Sequence, residues 1–304
     1  MIVRKRPNWL GMLLVWRGSV LPDILPQLVL TTAFAALVTV LHGQLFSFKV
    51  TLTFVPFSLI GIAIAIFLGF RNSASYERFW EARKQWGALM IHSRSLARQI
   101  MTLQDDPAAV KPIVYAQIAF VQALRHQLRR TDPLPDLRKL LPADFVEGTL
   151  AKAEFRPALI LLHIGGLVAE LRRAGRIDPV LVNAVERHLD ALSDVLGACE
   201  RIAGTPIPFT YSVIIHRTIY LYSFLLPFGL VDSIGLLTPL VVAFLAYTFY
   251  ALEALSDQLE EPFGTAANDL ALDAMATTIE TSLREMLGET DLPKPHKPKN
   301  YVLS

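Results

Sequence analysis

Residues 56–87 pass from an uninterrupted apolar run into a polar and highly charged run, with no glycine–proline pair at the boundary. Such a pattern predicts a helix whose first half suits a bilayer and whose second half suits water. Because nothing stops the helix at Phe70, we expect it to leave the membrane and continue. The fold must therefore join a membrane helix directly to an extramembrane part.

On the apolar half, three bulky residues recur at every fourth position and stack on one helix face: Ile62, Ile66 and Phe70. This row fits the lipid-facing surface of an ordinary membrane helix. It also fits a dry constriction formed by several copies around one axis, since apolar constrictions gate by dewetting. A neighbouring row of small residues allows another helix to approach closely: Gly61, Ala65 and Gly69.

The composition favours a membrane protein. Hydrophobic residues make up 53% of the chain and charged residues 18%, against about 25% charge in soluble domains. Four segments approach the roughly 20 apolar residues that a helix needs to cross a bilayer: 25–41, 50–70, 206–230 and 234–251. The single cysteine, Cys199, excludes an intrachain disulfide and fits a small buried residue.

The rest of the chain predicts helical, cytoplasmic parts. Lysine and arginine are frequent before residue 20 and through 71–205, whereas the other two loops contain only Lys49. The positive-inside rule then places both termini in the cytoplasm. His216 and Arg217 interrupt the third span, and we place them at the inner interface, although an intramembrane arginine by default marks a functional site.

We therefore divide the chain into an interfacial segment, two transmembrane pairs, a cytoplasmic helical domain, a helical segment and a disordered tail. The interfacial segment is 1–24, and the transmembrane pairs are 25–70 and 206–251. The cytoplasmic helical domain is 71–205, the helical segment is 252–287 and the disordered tail is 288–304. The domain 71–205 shows helical spacing, no strand pattern and no run that we expect to span a membrane.

Enzyme and nucleic-acid functions are disfavoured. The sequence lacks GxGxxG, P-loop, HExxH and CxxC motifs, and its seven histidines show no metal-ligand spacing. Basic residues do not alternate with aromatic ones as on a nucleic-acid stacking surface. We expect no catalytic residues, no cofactor and no nucleic-acid partner.

Several short blocks occur over residues 1–275: Leu-Gly-Phe at 68–70, Arg-Phe-Trp at 78–80, Trp-Gly at 86–87, Gly-Arg-Ile-Asp-Pro-Val at 175–180, Ile-Pro at 207–208 and Gln-Leu-Glu-Glu-Pro-Phe-Gly at 258–264. Together, and in this order, they resemble the bestrophins, and residues 71–83 are similar to the prokaryotic branch of that family. The resemblance implies a homo-pentameric ion channel with one axial pore, made of four transmembrane helices per subunit plus a helical cytoplasmic domain. The fold class is thus an all-α integral membrane protein, with Ile62, Ile66 and Phe70 as its pore neck.

Two further positions acquire roles from the resemblance. Asp178 before Pro179 is the signature of a helix N-cap, and the residue after this proline forms the cytoplasmic aperture in bestrophins. Val180 takes that role, and a ring of Asp178 carboxylates beside it would favour cations.

Glu77 and Glu81, four residues apart, fit a solvated face paired with Arg78 or Lys84. A vestibule ring remains the alternative for both glutamates. The neck itself carries no charge and cannot set the sign of the ion.

The segment 257–264 is similar to the region before the calcium clasp of animal bestrophins. Residues 265–268 replace most of the acidic run that completes the clasp, and only Asp269 remains. Calcium takes about six to eight oxygen ligands. We therefore expect no metal site and no requirement for micromolar calcium.

These patterns predict passive conduction of monovalent ions through a lipid bilayer. The prokaryotic resemblance favours cations such as sodium, and a chloride channel of the same architecture is the alternative. A transporter or a membrane scaffold is disfavoured, since no repeat or paired broken helices appear. The expected location is a bacterial inner membrane, crossed several times.

Overall fold

A computed structural model describes residues 1–4, 7–45, 48–49 and 52–304. Lys5 and Arg6 of the predicted interfacial segment, and residues 50–51 of the second predicted span, lie outside these ranges. The described residues form eleven α-helices: α1 Trp9–Leu13, α2 Leu21–Val40, α3 Phe54–Leu103, α4 Pro107–Arg129, α5 Leu134–Leu137, α6 Ala143–Gly148, α7 Arg156–Arg173, α8 Pro179–Gly204, α9 Phe209–Ile234, α10 Thr238–Glu260 and α11 Leu272–Met286. Short 3₁₀ turns lie at Leu150–Lys152 and Gly235–Leu237.

One small hairpin accompanies the helices. Its strands, β1 Gln44–Leu45 and β2 Phe48–Lys49, pair antiparallel with Gln44 opposite Lys49. Two residues per strand do not change the all-α class of the chain.

The chain divides into two compact units. The membrane unit consists of residues 2–79 and 206–261, and the amphipathic unit consists of residues 1, 80–205 and 262–304. Helix α3 belongs to both, and its 50 residues run without interruption from Phe54 to Leu103. At 1.5 Å per residue it is about 75 Å long, which confirms that the apolar helix continues beyond Phe70.

Among the described residues, four stretches are long and apolar enough to cross a membrane: Leu21–Val40, Val55–Leu103, Pro107–Arg129 and Phe209–Glu260. The last contains two helices, α9 and α10. Together with α2 and the first part of α3, they give the four membrane helices that the sequence predicts.

The third stretch corrects the expectation that nothing within 71–205 could span. Helix α4 passes the test of length and hydropathy, but 67% of its apolar window is buried inside the chain, against 22–33% for the other three stretches. Its apolar side chains face protein on nearly all sides, as in a central helix of a folded domain. Helix α4 therefore forms the core of the amphipathic unit.

Apolar packing holds the membrane unit together, with a few buried polar pairs. Thr31 of α2 and Tyr250 of α10 share a hydrogen bond of 3.0 Å between their hydroxyl oxygens. Such a buried bond contributes about 1 kcal/mol, and either hydroxyl alone would be costly to leave unpaired. Tyr250 also stacks on Tyr220 of α9. These contacts tie α2 and α9 to α10.

In the amphipathic unit, α4 packs against α7 and α11. Cys199 of α8 lies in this apolar interior, and burial raises the pKa of its thiol to about 12. The expectation of a small buried residue is confirmed, and the thiol is unreactive at neutral pH.

The segment 288–304, predicted to be disordered, makes specific contacts in the amphipathic unit. The backbone N–H of Ala274 donates to the Ser304 carbonyl at 3.0 Å. Glu289 accepts from Tyr115, and hydrogen bonds from Lys111 and Arg284 hold the pKa of its carboxyl down at about 2. These contacts fix both ends of the segment onto helical partners.

Gly229 of α9 allows α3 to approach closely, which gives a test of the packing. A Cβ atom at Gly229 would lie 2.8 Å from the ring of Phe57, whereas a Cβ at Gly197 of α8 meets nothing within 4 Å. Gly229→Ala should therefore destabilise the protein by about 1–3 kcal/mol through overpacking. Gly197→Ala should leave stability unchanged or raise it by up to about 1 kcal/mol. Thermal unfolding of both variants in detergent measures the difference, and equal melting temperatures would contradict the close packing.

Candidate pore

The three predicted neck residues share an exposed face of α3. Ile62, Ile66 and Phe70 are 59%, 51% and 64% exposed, respectively. Val55 and Leu59 extend the same face towards the start of the helix and are also exposed. The exposed apolar row is therefore longer than the three residues predicted from the sequence.

The opposite face of α3 packs inside the membrane unit. Phe57, Ile64 and Leu68 are buried in one apolar cluster with residues of α9 and α10. Because successive residues turn by about 100°, the buried set and the neck row lie on different sides of the helix. Intrachain packing thus accounts for one side of α3 and leaves the neck row uncovered.

Arg71, directly after the neck, points into the protein and is only 3% exposed. Its Nη2 donates to Asp257 and, at 3.1 Å, to Oε2 of Glu260, both on α10. Burying a guanidinium is expensive unless carboxylates accompany it. These partners lie 186 and 189 residues away. Local sequence patterns do not predict such distant partners, although the acidic residues of 257–260 were the available signal.

Arg78 is held in a similar way. Its Nε donates to the carbonyl oxygen of Glu260 at 2.7 Å. Arg71 and Arg78 are therefore both engaged with the end of α10, where Arg71 binds two carboxylates and Arg78 binds an uncharged carbonyl oxygen.

The two glutamates beyond the neck differ. Glu77 is exposed and forms no ion pair within the described part of the chain. Glu81 pairs with Arg201 of α8. The prediction that Glu81 pairs with Arg78 or Lys84 was wrong, because α8 brings Arg201 to the carboxylate of Glu81. Only Glu77 keeps an unpaired carboxylate on this part of α3.

Asp178 caps α8, as the sequence indicated. Its Oδ1 accepts from the backbone N–H of Val180 at 2.8 Å, and Pro179 occupies the first helical position, where its missing N–H costs nothing. The side chain of Val180 is 80% exposed. The first turn of α8 therefore presents one carboxylate and one exposed aliphatic side chain together.

The loop after α10 is closed by hydrogen bonds between its own residues. The N–H of Ala266 donates to Oδ2 of Asp269 at 2.7 Å, and the N–H of Leu270 donates to the Pro262 carbonyl at 2.9 Å. Within the described ranges, no group of three or more His, Cys, Asp or Glu side chains is arranged to hold a metal ion. The expected independence from calcium stays a prediction.

Comparison with known proteins gives the family. Residues 1–285 match the family described as Bacterial/Fungal Bestrophin protein. A voltage-dependent anion channel-forming protein of Ralstonia nicotianae is 48% identical over 306 residues, and the one of Escherichia coli named YneE is 42% identical over 306 residues; both alignments cover 100% of each chain.

Solved structures agree with this assignment. A crystal structure of a bacterial bestrophin homologue from Klebsiella pneumoniae has a TM-score of 0.85 and 45% sequence identity, and the match covers 88% of this chain and 99% of that one. The exposed apolar row of α3, the capped α8 and the four membrane helices thus occur in a chain that belongs to the bestrophin family of membrane ion channels and is not an enzyme.

Proposed function

We propose that five copies of this chain surround one axis, with the rows of Ile62, Ile66 and Phe70 forming a dry neck that monovalent ions pass without energy coupling. The observation that carries the proposal is the uncovered apolar face of α3 opposite its packed face. One chain alone cannot enclose a pore with this face. The number five comes from the family resemblance.

The physical barrier in such a neck is dehydration. An ion that enters a ring of isoleucine or phenylalanine side chains loses water ligands, and the apolar walls offer no replacement. The neck thus limits the rate for ions of either sign. Selection between signs must come from charges on either side of it.

Replacing Ile62, Ile66 and Phe70 together by alanine should widen and wet the neck and raise single-channel conductance severalfold. Planar-bilayer recording of the purified protein measures this. The matched control replaces three exposed apolar residues of α2 by alanine: Val29, Leu30 and Leu37. Unchanged conductance in the neck variant, or an equal rise in the control, would remove the neck from this role.

The first turn of α8 supports a second restriction, the cytoplasmic aperture. Five exposed Val180 side chains would form a narrow aliphatic ring, and the Asp178 carboxylates beside it would attract cations. Because Asp178 already caps the helix, a single residue would serve both fold and selectivity.

Two substitutions separate these roles. Val180→Ala should reduce discrimination between small and large monovalent cations, with little effect on opening. Asp178→Asn keeps a good N-cap and removes the charge, so it should lower cation preference while the melting temperature stays the same. Permeability ratios from bi-ionic reversal potentials test both. A normally folded Asp178→Asn channel with unchanged preference would leave Asp178 as a cap only.

The charges near the neck favour cations, with sodium as the expected ion. Arg71 and Arg78 donate to groups of α10, whereas Glu77 is exposed about 10 Å beyond Phe70 along α3. A ring of such carboxylates raises the local concentration of cations at the end of the neck.

A chloride channel of the same architecture is the second candidate. The relatives from Ralstonia nicotianae and Escherichia coli are named as anion channel-forming proteins. Lys84, two turns after Glu77 on α3, is also exposed and would oppose the field of Glu77.

Reversal potentials in asymmetric sodium chloride decide between the two ions. We expect a potential near the sodium equilibrium value and a shift towards zero in Glu77→Gln. Glu154→Gln, an exposed glutamate of the amphipathic unit, is the matched control and should change nothing. A potential near the chloride equilibrium value would establish the second candidate, and a saturable, coupled flux would indicate a transporter.

The proposed setting is a bacterial inner membrane with both termini in the cytoplasm. The basic residues of segments 1–24 and 71–205 support this orientation, and 252–287 would lie on the same side. Lys49 and Asp232, which pair at 2.8 Å, would then lie at the opposite membrane surface.

A further inference from the structure

A cavity of about 390 Å³ lies in the membrane unit between α3, α9 and α10. Its lining includes side chains of both charges as well as uncharged polar ones: Arg71, Ser212, His216, Arg217, Glu253 and Asp257. Apolar side chains dominate this unit, so such a concentration of charge is unusual. The pore proposal uses Arg71 alone, and only as a residue held away from the ion path.

The cavity lies where three membrane helices stop being apolar. Charged side chains are absent from 54–70 of α3, 218–231 of α9 and 238–252 of α10. Each run is bordered by a charged residue: Arg71 follows the first, Arg217 precedes the second and Glu253 follows the third. All three residues line the cavity. Charged side chains at the ends of apolar spans mark the level of lipid head groups. The cavity therefore opens at one membrane surface.

Arg71 and Arg217, two cationic side chains of the cavity, have N–H donors that could bind a ligand. The Nη2 of Arg71 serves both Asp257 and Glu260, while its Nε is buried with no acceptor in the described residues. A buried donor without an acceptor costs free energy, which an anionic ligand beside it would relieve. Arg217 is exposed and forms no ion pair within the described part of the chain. These guanidinium groups suit a phosphate.

Two carboxylates line the same cavity. Glu253 is 6% exposed, and its Oε1 accepts from Nδ1 of His216 at 2.8 Å. Asp257 is bound to Arg71 but keeps 59% of its side chain exposed. Carboxylate oxygens accept several hydrogen bonds each, so both can take further donors. A simple anion would be repelled by them, whereas a ligand with a phosphate and an ammonium group matches both signs.

We propose that this cavity binds the head group of a zwitterionic phospholipid with a primary ammonium, a phosphoethanolamine lipid. Its phosphate accepts from Arg217 and Arg71, and its ammonium donates to Asp257 and Glu253. A primary ammonium donates three hydrogen bonds, which a quaternary ammonium cannot.

The test compares three lipids with identical acyl chains, added to the purified full-length protein in detergent. Native mass spectrometry counts retained lipid, and thermal unfolding measures stabilisation, so neither readout depends on channel activity. The phosphoethanolamine lipid should bind roughly tenfold more tightly than the phosphocholine lipid, which lacks N–H donors, or the phosphoglycerol lipid, which lacks the ammonium. Equal retention of all three would overturn the proposal.

Arg217→Gln should weaken binding of the phosphoethanolamine lipid about tenfold, and Glu253→Gln should reduce its preference over the phosphoglycerol lipid. Lys49→Gln, which removes a cation from the opposite end of the membrane unit, is the matched control and should bind as the unchanged protein does. A further experiment adds soluble phosphoethanolamine as a competitor of the lipid. Its binding in place of the lipid would overturn the lipid assignment, as would an equal loss of lipid binding in Lys49→Gln and Arg217→Gln.

Discussion

The buried guanidinium of Arg71 sets the rotation of the helix that carries the proposed neck. It follows directly on an apolar membrane run, where an unpaired charge would be costly. Asp257 and Glu260 neutralise it from α10. Because Arg71 lies about 140° around the helix from Ile66, turning it inwards directs the neck row outwards. The ion pair thereby fixes which face of α3 the chain itself leaves uncovered.

Much of the architecture follows from local sequence rules. The continuity of α3 through Phe70 and the cap at Asp178 each depend on residues next to one another in the chain, and both were predicted. Four membrane helices follow from apolar runs of sufficient length. The proposed number of copies and the proposed axis come from the family resemblance, because a single chain contains neither.

Long-range contacts were not predictable in the same way. Glu81 has nearby candidates in Arg78 and Lys84, yet it pairs with Arg201, 120 residues away. Helix α4 has the length and hydropathy of a membrane span, and only its burial by other helices distinguishes it. The charged cavity between α3, α9 and α10 likewise draws its residues from three separate segments. In each case the deciding information is which surfaces meet, and hydrophobic periodicity does not encode that.

The unbroken course of α3 also limits how its length can evolve. One residue inserted between Phe70 and Glu77 would rotate every following side chain by about 100°. Either Arg71 would then turn away from Asp257 and Glu260, or Glu77 would no longer lie on the same helix face as Ile62, Ile66 and Phe70. An insertion of seven residues changes the rotation by only about 20°. Related chains should therefore differ in length within this helix by near-whole turns or not at all, while the hairpin before it and the loop after it can vary residue by residue.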